Sequence, residues 1–69
     1  MKSNINIEDM EFLTDNERDF LLVNRGADEQ ISLLDVYFEA KYNTDPGVAA
    51  IASSIVQKME DNKVDYILF

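Results

Sequence analysis

Asp28-Glu29-Gln30-Ile31-Ser32-Leu33-Leu34-Asp35-Val36-Tyr37-Phe38-Glu39-Ala40-Lys41-Tyr42 is the stretch that decides the fold, because it supports two periods at once. As a helix it opens with Asp28 and Glu29 near the positive end of the dipole. Ile31, Leu34 and Phe38 then share one stripe, with Tyr37 and Tyr42 beside it, and Asn43 is the stop. As a half-buried strand, Leu34, Val36, Phe38, Ala40 and Tyr42 alternate with Leu33, Asp35, Tyr37, Glu39 and Lys41. The neighbouring segments have to arbitrate.

Downstream, the helical signal is strong. Thr44-Asp45 can cap, and Pro46 suits a first helical position, where its missing N–H would have had no partner. Val48, Ile51, Ala52, Ile55 and Met59 keep helical spacing as far as Asp61, while Ala49, Ala50, Ser53 and Ser54 leave the other flank small enough for a close neighbour. Upstream, Thr14-Asp15-Asn16-Glu17 has the capping-box pattern, and Phe20, Leu21, Leu22 and Val23 follow before an Arg25-Gly26 stop. The ends of the chain read as extended. Lys63-Val64-Asp65-Tyr66-Ile67-Leu68-Phe69 is apolar up to its last residue and is expected to form a short strand or pack into the core, since burying a Leu or Phe side chain is worth about 1.5–3 kcal/mol. Its natural partner is Ile5-Asn6-Ile7.

The fold expected is mainly α: a small three-helix domain, over about 15–25, 28–42 and 45–61, with short extended N- and C-terminal segments. The alternative is α+β, with a three-stranded meander over about 5–13, 18–24 and 30–42, one helix and a final strand. Either way 69 residues make a single small domain, of the size that buries only roughly 60% of its unfolded surface.

Residues 28–61 resemble the helical hairpin of the Sda sporulation checkpoint inhibitors, which bind a sensor histidine kinase. The resemblance lies in Asp35-Val36-Tyr37-Phe38-Glu39-Ala40-Lys41, then Asp45-Pro46, then Ile51 and Ile55 behind. Gly47-Val48 stand where that family has an acid and an aromatic, and Ala and Ser replace most charges of its second helix. The resemblance implies a helical hairpin, with Tyr37, Phe38 and the turn at 43–48 facing a partner.

Composition narrows the function. With no Cys and no His, the chain lacks thiolate chemistry, disulfides, the commonest general base and the commonest metal ligand. Its glycines stand alone, so there is no phosphate-cradling loop. The acidic groups Glu8-Asp9-Glu11 and Asp15-Glu17-Asp19 lack the spacing of a calcium loop. The expectation is a non-enzyme without cofactor or metal.

Net charge is −8, from 14 acids against 6 bases, and the bases are scattered singly. Such a chain repels nucleic-acid phosphate and attracts basic partners, so direct nucleic acid binding is not expected. No apolar run approaches the roughly 18 residues of a membrane span, and no signal-peptide core follows Met1, which points to the cytoplasm of a producing or host cell. All acids except Glu60, Asp61 and Asp65 fall within positions 8–45, a distribution suited to meeting a basic groove.

The function expected is a small acidic protein that binds, and inhibits or regulates, a protein partner. The contact residues expected are Asp35, Tyr37, Glu39 and Tyr42, with Glu8, Asp9, Glu11, Asp15 and Glu17. Two rivals stand beside it: a phage-type mimic of nucleic acid that inhibits a host defence or nucleic-acid-handling enzyme, and a structural subunit of an oligomer, a homodimer included, that hides the apolar C-terminus. Among the aromatics, Phe20, Phe38 and Phe69 are expected in the core, and Tyr37 and Tyr42 at the surface.

Overall fold

The computed structural model describes residues 3–24 and 29–69. Among the described residues seven elements follow in order: strand β1 (Ser3–Asn6), a 3-10 turn (Ile7–Asp9), helix α1 (Asp15–Asn24), strand β2 (Gln30–Ser32), helices α2 (Leu33–Tyr42) and α3 (Pro46–Asp61), and strand β3 (Val64–Leu68). The domain is mainly α, with three helices and a short three-stranded sheet. The meander alternative is overturned, because of its three strands, 5–13, 18–24 and 30–42, the second is helical and the third is helical from Leu33 on.

Each helix starts where a side chain can take up otherwise unbonded N–H groups. At α1, Glu17 N–H donates to Thr14 Oγ1 (3.2 Å) and Thr14 N–H donates to Glu17 Oε1 (2.8 Å), the reciprocal box anticipated from sequence. The Arg25-Gly26 stop proposed for this helix lies outside the described residues. At α3, Asp45 Oδ1 accepts from Gly47 N–H (2.8 Å) and Val48 N–H (3.4 Å), and Pro46 occupies the first turn. Asp45→Ala is expected to cost about 1 kcal/mol, read as a lower denaturant midpoint at unchanged slope.

The middle segment starts later than the sequence reading places it. Asp28 lies outside the described residues, but Gln30–Ser32 is a strand, and the Glu29 carbonyl accepts from Phe69 N–H at 3.0 Å. Helix α2 begins only after Ser32, whose Oγ accepts from Asp35 N–H while Asp35 Oδ2 accepts from Ser32 N–H, both at 3.1 Å. That second capping box takes precedence over the acids at 28 and 29, since it saturates two specific N–H groups. It ends at Asn43, as expected, where the cap N–H bonds the Glu39 carbonyl at 3.1 Å.

The sheet has order β1-β3-β2, so the C-terminal strand is its centre. β1 runs parallel to β3 with Ile5 opposite Ile67, and β2 runs antiparallel with Ile31 opposite the same Ile67. The pairing of residues near 5–7 with the apolar C-terminal strand was legible in the sequence; the addition of β2 to the other edge of that strand was not. Lys63, at φ 56°, makes the sharp reversal from α3 into β3 in a left-handed conformation that favours glycine.

Helices α2 and α3 pack extensively on each other, and α1 packs on α3. One core joins Met10, Leu21, Val36, Ile55, Met59 and Ile67, all fully buried, with Phe20, Ile31, Ala52, Val56 and Val64 around them. The apolar C-terminal strand is therefore covered by its own chain, with Val64 and Ile67 buried and Leu68 and Phe69 half-buried. Among the described residues, no helix is long and apolar enough to cross a membrane.

Candidate partner-binding surface

A ten-residue helix lying on a small core has only one face to bury, and in α2 that face carries Leu33, Val36 and Ala40. The other face is apolar too. It presents Leu34 (60% exposed), Tyr37 (45%), Phe38 (49%) and Tyr42 (64%) to solvent. This reverses part of the sequence reading: Ile31 belongs to the sheet, and Leu34 and Phe38 point outward, so Phe38 is not a core residue. The cause is packing against α3 and β3, which takes up the stripe of Leu33, Val36 and Ala40. Phe20 is buried as expected, and Phe69 is half-buried against the core.

The outward rings form a connected surface. Phe38 stacks on Tyr42 with centroids 5.8 Å apart, and meets Tyr37 edge-on at 6.5 Å. Lys41 Nζ lies 5.9 Å from the Tyr37 ring centroid and 5.6 Å from that of Tyr42, within cation–π range of both. A shallow depression of about 410 Å³ is lined by Phe38, Glu39, Tyr42, Asn43 and Thr44. At the other end of the helix, a cleft of about 460 Å³ opens between α2, α3 and β3, with Leu34, Tyr37, Val56, Glu60, Asp65 and Tyr66 in its walls.

The acids of the sequence reading take different places. Asp35 is exposed but holds the α2 cap, and Glu39 Oε2 accepts from Asn43 Nδ2 at 3.0 Å. Glu8, Asp9, Glu11 and Asp15 are exposed on the 3-10 turn and the start of α1, a segment apart from the tyrosines of α2.

Glu17 is buried and belongs to no surface. Its carboxylate takes Lys58 Nζ at 2.6 Å, Ser54 Oγ at 2.5 Å and Thr14 N–H at 2.8 Å. Burial pushes its pKa up, but hydrogen bonds from Lys58, Ser54 and Thr14, with the Lys58 charge, outweigh burial and leave it below 4.5. Arg18 is likewise turned inward in part, donating from Nη2 to the Met10 carbonyl at 3.0 Å.

Sequence reasoning missed Leu34, Glu60, Asp65 and Tyr66 as surface residues of this region, and it divided over Phe38, placed in the core from its spacing and towards a partner by the Sda resemblance. Ser32-Leu33-Leu34-Asp35 carried a usable signal for where the helix starts, and none for which of its two apolar stripes is buried. Comparisons with family models, with curated proteins and with solved structures give no match for this chain. Among the described residues, no group of three or more acids is arranged to hold a metal ion.

Proposed function

We propose that this protein is a small acidic, non-enzymatic regulator that binds a protein partner through the outer face of α2 and inhibits or modulates it. The observation that carries the reading is the exposed set Leu34, Tyr37, Phe38 and Tyr42, with the Phe38 ring against both tyrosines, on a helix whose opposite face is already in the core. Aromatic side chains with polar tips supply most of the energy at protein interfaces, and a contiguous apolar patch left in water marks such a site. The net charge of −8 supports a basic partner over a nucleic acid. A sensor histidine kinase, the partner class of the Sda inhibitors that residues 28–61 resemble, is the first candidate to assay.

The test is capture from source cells with the wild type and with Tyr37→Ala/Tyr42→Ala. Hot-spot tyrosines contribute upwards of about 1–2 kcal/mol each, so the double variant is expected to bind at least tenfold more weakly. Its thermal midpoint should stay close to wild type, because both side chains are exposed. Equal capture by both proteins sinks the reading.

The charge-mimic alternative draws on the exposed acids Glu8, Asp9, Glu11, Asp15 and Asp19. It predicts an affinity that collapses between low and high salt, whereas an interface anchored on aromatic rings changes little.

A further inference from the structure

We infer that the cleft between α2, α3 and β3 receives an arginine side chain from a basic segment of the protein partner. This rests on the partner-binding reading above and names what the cleft beside that surface holds.

Three observations converge. The walls are apolar and aromatic, with Leu34 and Val56 beside the rings of Tyr37 and Tyr66. The acidic groups in those walls are Glu60 and Asp65, and no Lys or Arg lines the cleft among the described residues. The whole chain carries −8, so a second copy approaching this face is repelled, while a cationic segment is drawn in. An occupant must therefore combine a positive tip with a stem and planar head that pack on aromatic faces. Arginine meets that description better than lysine, because its guanidinium is planar, weakly hydrated and stacks on rings while bonding carboxylates.

The experiment is a 15N NMR titration of the full chain with the peptide acetyl-Leu-Arg-Leu-Arg-Leu-Arg-amide, beside its lysine and citrulline counterparts. Shifts are expected to centre on Leu34, Tyr37, Glu60 and Tyr66. Glu60→Gln should weaken the arginine peptide about threefold, in the range of a solvent-accessible ion pair. The citrulline peptide, equal in shape but uncharged, should bind at least about fivefold more weakly, and the lysine peptide should fall between.

Equal affinity for arginine and citrulline peptides overturns the assignment. So do shifts spread over residues 8–19 with no response to Glu60→Gln. A sedimenting dimer that Tyr66→Ala dissolves would assign the cleft to a second copy and overturn it as well. Failure of the parent reading looks different: capture would then be indifferent to Tyr37 and Tyr42. Capture that needs those tyrosines while the peptides ignore the cleft leaves the surface standing and removes the arginine.

Discussion

Ile67→Ala is expected to destabilise the domain by about 2–5 kcal/mol, the cost of removing a fully buried branched side chain and leaving a cavity. Ile67 is fully buried on the central strand and lies opposite Ile5 on one side and Ile31 on the other. One side chain thus joins all three strands to the core that α2 and α3 cover. For a chain of 69 residues the whole stability is on the order of 3–10 kcal/mol, so this loss takes about half of it. In a domain of this size each kcal/mol moves the thermal midpoint by roughly 4–8 °C, which sets the expected drop at about 8–40 °C. Melting followed by circular dichroism measures it. Ile67→Val should fall by only about 0.5–1.5 kcal/mol, because the β-branched shape that fills the rung is kept. A shift below about 4 °C for the alanine variant would show that the C-terminal strand is not the centre of the sheet.

The second large effect belongs to Glu17. Truncating Glu17 to alanine removes the acceptor for Lys58, Ser54 and the Thr14 N–H together. Breaking a buried pair costs about 3–5 kcal/mol, and the part exposure of Lys58 at 30% lowers that to about 2–3. The same group makes stability depend on pH. Glu17 is held below its ordinary 4.5 in the folded state, so the unfolded chain takes up its proton first as acid is added. Its contribution is complete above about 4.5 and disappears as pH falls through the folded value.

Denaturant titrations between pH 7 and pH 3 should show that acid loss in the wild type and a shallower loss in Glu17→Gln, which cannot titrate. Lys58→Met removes the charge that lowers Glu17, and its acid limb should move to higher pH. Identical pH profiles in wild type and Glu17→Gln would show that Glu17 is not held charged in the fold.

Glu17 also shows why charge in a sequence is an incomplete guide to a surface. Read along the chain, it is one of a run of acids with Asp15 and Asp19 and counts towards an acidic face. Its capping-box role at Thr14 was legible from three-residue spacing alone. The Ser54 and Lys58 partners stand 37 and 41 positions away, and nothing local points to them.

The segment over 28–42 divides in the same way. Its helical nature and its Asn43 stop could be read from period and flanks, while the strand at Gln30–Ser32 could not, because three residues carry no usable period. Strands that short form only where a neighbour offers unpaired N–H and C=O groups, and here the neighbour is β3, more than 30 residues further on.

The amino-acid sequence by itself determined the three helices, their caps at Thr14 and Asp45, the affinity of the two chain ends and the acidic character, because each depends on residues a turn apart or on composition. The tertiary structure decided which apolar stripe of α2 faces inward, and so which rings meet solvent. That choice turns on packing against α3 and β3: α2 has apolar residues on both faces, the core has room for one, and the side that fits is the one carrying Leu33, Val36 and Ala40. Leu34, Tyr37, Phe38 and Tyr42 are left outside as the surface on which the proposed function rests.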